Sequence, residues 1–381
     1  MSNFIKVINK GLPNTVVVFS SVNVPEGKFS AIHALGSLDA NLIFINCPNN
    51  NWYIKEIPGL GLNIDEIAFS LIKHLKNLGN EKVIFYGGSM GAYGALLYAA
   101  KCHANYSLVT GVEAKLGSPR GYYNNLCNDK VPPEDFPNLI ETISKSNVQS
   151  DILVGEACFS DHGLVKGLTN LKNITVRTIK NGGHRIPPYI EQKIGLAKLL
   201  SQSITSNDIN ENFSFTTKLL TECDVYDLIE KCVLKMPLSD DKYTELFNYA
   251  NDEANSAHYR SYAYYAISLQ VKNQCDVAKN LEKAIELNPD NYLFHDSITT
   301  CLSNKNLYQQ AIKYAQKTCE IIKYSGFESF EYYALKLVNL YIKEKNIEAA
   351  MLLLLEIKKT IPAKGKMRDE FNILEQKYLL N

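Results

Sequence analysis

A serine hydroxyl is a poor nucleophile at neutral pH unless a base stands beside it, and that base needs a carboxylate to fix its tautomer and hold its developing charge. This chain offers a setting for each. Gly87-Gly88-Ser89-Met90-Gly91 follows the β-type run Lys82-Val-Ile-Phe-Tyr86 and opens the helical stretch Ala92 to Lys101. A strand, a G-x-S-x-G turn and a helix form a nucleophile elbow, in which the turn holds the serine in a strained backbone conformation with its hydroxyl exposed. Glycines at 87 and 91 let neighbouring backbone approach where a Cβ would clash. The bland alternative is an ordinary Gly/Ser turn.

At such elbows the acid follows the serine and the histidine follows the acid. Downstream of Ser89 the first half of the chain holds His103, His162 and His184. His103 lies past the far end of the elbow helix and points away from the serine. His184 sits in Asn181-Gly-Gly-His184-Arg-Ile-Pro, after a last strand and before a last helix, with two glycines that let the loop approach; it is the expected base. The run Asp151-Ile-Leu-Val-Gly155 leads into Glu156 and then Asp161-His162. Asp161 is favoured as the acid because the extra loop residues let its carboxylate swing toward the histidine. Glu156 is the rival, Asp151 is at the wrong end of the strand, and His162 flanks the acid. An oxyanion hole needs two backbone N–H donors. One is expected from Met90, the other from Ser21 or Val22 after the Thr15 to Ser20 strand. No metal-ligand spacing is present.

These residues need a sheet to position them, and residues 1–203 supply the pattern for one. Strand-like runs at Phe4–Ile8, Thr15–Ser20, Asn41–Asn46, Lys82–Tyr86, Ser107–Val112, Asp151–Gly155 and Asn173–Ile179 alternate with helical stretches at Ile64–Leu78, Ala92–Lys101, Leu139–Ser144 and Ile190–Ser201. Near-continuous apolar strands such as Val16-Val-Val-Phe19 predict a largely parallel sheet with helices on both faces. Residues 204–215 are polar and read as a linker, 216–253 as bridging helices, and 254–381 as helices separated by short breaks. Lys272-Asn273, Lys305-Asn306 and Lys345-Asn346 mark those breaks at intervals of 33 and 40 residues. Val277 to Pro289 resembles the second helix of a tetratricopeptide repeat, which implies about three units, 257–290, 291–324 and 327–362, with a capping helix near Arg368 to Leu380. Tyrosine-rich stretches such as Tyr259 to Tyr265 are expected to fill the space between stacked helices.

Composition excludes several classes. Forty basic residues balance forty acidic ones, so no global field favours nucleic acid or anionic membrane. The nine cysteines are scattered with no C-x-x-C pair, which argues against a disulfide framework or a zinc site. No apolar run approaches the ~20 residues that span a bilayer, and the first residues lack a signal-peptide core, so a cytoplasmic protein is expected.

Taken together, Val16 to Ser21, Asn51-Trp52-Tyr53, Phe85 to Leu97, Glu113 to Leu116, Gly155 to Val165 and Asn181 to His184 resemble α/β-hydrolase-fold enzymes of bacterial capsule and surface-polysaccharide clusters. These include capsule O-acetyltransferases with a Ser-Asp-His triad. The resemblance covers about residues 12 to 200. It implies Ser89 as the acetylated nucleophile, Asp161 as the orienting acid, His184 as the base, acetyl-CoA as donor and a sugar hydroxyl as acceptor. The segment from Val112 to Asp151 is then the expected cap. Lys115 and Arg120 become candidates for the CoA phosphates, and Tyr122 and Tyr123 for stacking on a sugar. Trp52 and Tyr53 lie past a strand's carboxyl end, where they either line an acceptor pocket or anchor the loop on the sheet. Three functional readings follow: an acyltransferase acting on a glycan, an esterase with the same triad, and an inactive module whose repeats recruit a protein partner.

Overall fold

A computed structural model of the chain describes residues 2–119, 121–128, 130, 135–206, 209, 215–216, 219–325, 329–363 and 365–379. Two compact units emerge, Met1–Leu219 and Leu220–Asn381. The strands of the first are β1 (Ile5–Ile8), β2 (Asn14–Phe19), β3 (Asn41–Ile45), β4 (Lys82–Gly88), β5 (Tyr106–Thr110), β6 (Gln149–Gly155), β7 (Ile174–Ile179) and β8 (Phe215–Thr216). They form one sheet in the order β1-β3-β2-β4-β5-β6-β7-β8. All neighbours from β3 to β7 pair in parallel, and only the edge strands β1 and β8 run antiparallel. This is the largely parallel sheet expected from the alternation of strands and helices, in the α/β-hydrolase-like architecture that the resemblance implies.

Helices α1 (Ile64–Leu78), α2 (Met90–Lys101), α3 (Tyr123–Leu126), α4 (Leu139–Ser144), α5 (Phe159–Leu164), α6 (Ile186–Lys193) and α7 (Leu196–Ser206) complete the unit. Burial on both faces explains the apolar strands. Val17, Phe19, Phe85 and Val109 pack with Ile67 and Leu71 of α1 and Leu96 of α2 in one cluster. Tyr86 and Thr110, whose side chains alternate to the other face, share a cavity wall with Leu196 of α7. From β2 the chain crosses to β3 on one side, whereas from β4 it crosses to β5 on the other. The crevice beyond the carboxyl ends of β2 and β4 is therefore a topological switch point, where open α/β sheets place their ligands.

Three expectations need correction. The elbow helix begins at Met90 rather than Ala92 and β4 runs on through Gly87 and Gly88, so Ser89 alone makes the turn between them. The single helix expected at Ile190–Ser201 is two, α6 and α7, separated at Gly195 with φ +87°. Within the expected linker, α7 continues to Ser206 and Phe215 belongs to β8, which pairs with the sheet edge at β7.

The second unit is helical: α8 (Tyr226–Val233), α9 (Asp240–Asn251), α10 (Ala257–Gln270), α11 (Gln274–Leu287), α12 (Tyr292–Asn304), α13 (Tyr308–Ser325), α14 (Phe330–Lys343), α15 (Ile347–Ile357) and α16 (Lys366–Tyr378). Each helix from α9 to α16 packs on the next, and α8 packs on α10. The Lys-Asn breaks have a local purpose. Asn273 and Asn346 cap α11 and α15 by accepting from the backbone N–H groups of Cys275 and Ala349, and Asn306 takes a left-handed φ of 59°. Tyr262 is fully buried, with its ring edge-on to Phe294, as expected for an inter-helix core. Among the described residues, no helix is long and apolar enough to cross a membrane.

Candidate active site

Ser89 adopts φ 55° and ψ −121°, a conformation that costs a non-glycine residue about 1–3 kcal/mol. The surroundings enforce it. A Cβ on Gly87 would strike the Gly91 carbonyl, and one on Gly91 would strike the carbonyl of Phe19 at the end of β2. The Ser89 N–H donates to the Thr110 carbonyl at 2.8 Å, which ties the turn to β5.

His184, on the loop between β7 and α6, accepts from the Ser89 hydroxyl at Nε2, 3.1 Å away. Its Nδ1 lies 3.0 Å from both carboxylate oxygens of Asp161. The hydrogen-bond pattern assigns the proton to Nδ1 and leaves Nε2 as the acceptor. Asp161 is wholly buried on α5, while the His184 side chain is 21% exposed, so the carboxylate is screened and the imidazole is reachable. Gly111, just past β5, makes room: a Cβ there would come within 2.9 Å of the imidazole Cε1 and 3.3 Å of an Asp161 oxygen.

The rivals are engaged elsewhere. Glu156 accepts from the Asn181 N–H at 2.7 Å and so shapes the loop that carries His184. Asp151 takes Arg177 Nε at 2.8 Å and the Tyr106 hydroxyl. His162 is buried with Nε2 at 3.3 Å from the Glu156 carbonyl, and His103 is exposed beyond the end of α2. Cys158 Sγ, Asp161 and His184 also offer three donor atoms within 4.8 Å of one another. Burial, and then the charge of Asp161, hold the Cys158 thiol well above its ordinary pKa, which disfavours the thiolate that metal ligation needs.

Of the expected oxyanion donors, the Ser21 N–H is committed to the Ser30 hydroxyl at 3.1 Å. Among the described residues the Met90 and Val22 N–H groups have no acceptor, and Val22 lines the same cavity as Ser89 and His184. That cavity holds about 590 Å³. Its wall is mostly apolar, with Phe19, Ala34, Leu126 and Pro187 among its residues, and Arg185 and Glu191 add charge. Tyr86 and Thr110 also line it, 3% and 1% exposed, and their hydroxyls have no partner among the described residues. Sequence reasoning missed both, although they stand at alternate positions near the carboxyl ends of β4 and β5, the ends that face the site.

Of the expected substrate-binding residues that the structure describes, Tyr122 lines this cavity, and Trp52, Tyr53, Lys115 and Tyr123 do not. Trp52 and Tyr53 are core residues, 1% and 0% exposed. Trp52 packs edge-on to Tyr123, and the Tyr53 hydroxyl donates to the Ser20 carbonyl at 2.6 Å. With Asn50, which bonds the Asn23 N–H and the Leu126 carbonyl, they brace the Ser20 to Asn23 loop from behind. Lys115 is exposed on a different cleft, beside Phe136 and Lys130. Arg120 lies outside the described residues. Tyr122 faces His184, and Tyr123 is buried.

Comparison with known proteins gives no matching family model and no matching curated protein. Among solved structures, the chain is similar to the capsule O-acetyltransferase of Neisseria meningitidis serogroup A at 18% identity, over 48% of this chain and 86% of that one, with a TM-score of 0.39. It is similar to MenH from S. aureus at 17% identity, over 48% and 91%, with a TM-score of 0.35. The carboxylesterase CesB from Bacillus subtilis is similar at 14% identity, over 55% and 90%, also with a TM-score of 0.35.

Proposed function

We propose that this protein is a serine acyl-transfer enzyme that works through a Ser89 acyl-enzyme, with Asp161 and His184 completing a triad. The observation that carries the reading is the hydrogen-bonded chain from Ser89 Oγ through His184 to Asp161, set at the wall of a cavity beside two uncommitted backbone N–H groups. His184 Nε2 takes the hydroxyl proton as Ser89 attacks the acyl carbonyl, and the N–H groups of Met90 and Val22 receive the negative charge on oxygen. Collapse of that intermediate expels the leaving group, which takes the proton from His184. An acceptor then gives its own proton to Nε2 and attacks the acyl-serine. Water as acceptor makes the protein an esterase; a held alcohol with water excluded makes it a transferase.

We favour transfer of an acetyl group from acetyl-CoA to a hydroxyl of a bacterial capsular or surface polysaccharide. The sequence resemblance suggests this donor and acceptor, and the buried hydroxyls of Tyr86 and Thr110 suit a polar acceptor. Arg185, exposed at the cavity, takes the place proposed for Lys115 as partner of the CoA phosphates. An esterase acting on the same esters is the second reading, because the first half-reaction is shared. The helices over 254–381 are proposed as tetratricopeptide-like repeats that hold a protein partner, a role compatible with either chemistry.

The test is release of free CoA from acetyl-CoA by purified protein, with and without a pool of capsule oligosaccharides. Acceptor-dependent release that disappears in Ser89→Ala supports transfer. Ser89-dependent cleavage of p-nitrophenyl acetate without CoA release leaves the esterase, and no Ser89-dependent reaction with either donor removes the enzymatic reading.

A further inference from the structure

Tyr122 lines the cavity and also packs on the triad itself. Its ring lies on the imidazole of His184, with centroids 4.3 Å apart and planes 32° from parallel. Its hydroxyl donates to Asp161 Oδ1 at 3.4 Å and lies 3.9 Å from Cys158 Sγ. One side chain therefore touches both the base and its acid.

The backbone around it is fixed at two points. Glu113 is 2% exposed, one of its carboxylate oxygens accepts from the Tyr123 N–H at 2.9 Å, and the other has no partner among the described residues. Gly121 lies flat against that carboxylate, where a Cβ would collide with it. On the next residue the Tyr123 ring is seated edge-on to Trp52, at 5.3 Å, and to Phe136, at 5.1 Å. A carboxyl group buried with one backbone N–H as its partner is costly to place, and its effect here is to hold one short segment over the histidine.

We propose that Tyr122 is a positioning residue that braces His184 and shields its hydrogen bond to Asp161 from water, and that Glu113 anchors Tyr122 in that position. This rests on the triad reading above. The physical gain is twofold. Excluding water lowers the local dielectric and strengthens the charge pair that forms as His184 takes the serine proton. The face of the tyrosine ring also attracts the imidazolium at that moment.

The test pairs steady-state hydrolysis of p-nitrophenyl acetate with proton NMR of the His184 Nδ1–H bonded to Asp161, a downfield resonance that survives only when shielded from exchange. Tyr122→Leu should erase the resonance and lower kcat by about 10-fold to 100-fold, with KM within about 3-fold of wild type. Tyr122→Phe, which keeps the ring face, should retain the resonance and lose no more than about 3-fold in kcat. Gly121→Ala, which displaces the anchor without touching the triad, should weaken the resonance and lower kcat in the same sense as Tyr122→Leu. It decides the matter if the leucine variant does not fold.

A rise in KM with kcat and the resonance intact would make Tyr122 a substrate contact and overturn the proposal. So would equal losses in the phenylalanine and leucine variants. If the wild type shows the resonance and Tyr122→Leu loses it, but no Ser89-dependent cleavage occurs, the brace stands and the acyl-transfer reading falls.

Discussion

Two turns at the carboxyl ends of neighbouring regions of the sheet hold non-glycine residues in left-handed backbone, and they use that strain differently. After β4, Ser89 has φ 55° and turns its hydroxyl toward a cavity and a histidine. After β3, Trp52 and Tyr53 have φ 53° and 62° and turn large rings into the core. Each residue costs roughly 1–3 kcal/mol of backbone strain. In the first case the surrounding glycines and carbonyls force the serine out of the packing, which leaves its hydroxyl at the cavity beside His184, as the proposed nucleophile requires. In the second, burial of two aromatic side chains offsets the strain and stiffens the loop that carries Val22. Strain marks both turns as over-determined, but what the side chain meets decides which of them can present a reactive group.

The comparison is broken most directly at the acid. Asp161→Asn should lower kcat by about 10⁴-fold with the fold intact, since the amide cannot hold the Nδ1–H tautomer. Glu156→Gln, tested beside it, should keep most of the activity, because Glu156 accepts the Asn181 N–H rather than touching the imidazole. Equal losses in the two variants would return the acid's role to an open choice.

Next is the other turn. Trp52→Ala should cost about 3–5 kcal/mol in denaturant unfolding, as a core truncation does, while the folded fraction keeps a KM close to wild type. A large KM change at full stability would instead make Trp52 a pocket residue.

Glu113 sharpens the contrast between strain and buried charge. Burial pushes its carboxyl up to about 7, despite lowering by the backbone N–H groups of Tyr123, Tyr122 and Gly117. Between its ordinary 4.5 and that value the unfolded chain gives up a proton that the folded chain keeps. The folded state therefore loses stability as pH rises across that window, by about 3 kcal/mol in all, and the loss levels off above it. Glu113→Gln should flatten that slope in urea titrations at pH 5, 6, 7 and 8. An unchanged slope would show that Glu113 is not the group responsible.

The smallest effect is expected at Lys115, exposed on a separate cleft. Lys115→Ala should change stability by less than about 0.5 kcal/mol and leave the KM for acetyl-CoA unchanged, whereas Arg185→Ala should raise that KM. The reverse ranking would restore Lys115 as a phosphate contact.

The sequence by itself determined what depends on local order. Alternating strands and helices, the G-x-S-x-G turn between β4 and α2, and a glycine-flanked histidine between β7 and α6 are each written in consecutive residues, because strand period, turn chemistry and chain order are local properties. The serine and histidine were legible for that reason. Only the tertiary structure decided what depends on approach between distant segments. Asp161 rather than Glu156 meets His184, because the Asn181 N–H occupies Glu156 across 25 residues. Ser21 gives up its N–H to the Ser30 hydroxyl, which leaves the Val22 N–H as the uncommitted one of the two among the described residues. Trp52 and Tyr53 turn inward although their strand end faces the site, and Tyr122 covers the histidine because Glu113 and a seat between Trp52 and Phe136 hold its segment there. A side chain's direction at a loop is set by packing against residues remote in sequence, and that information exists only once the chain has folded.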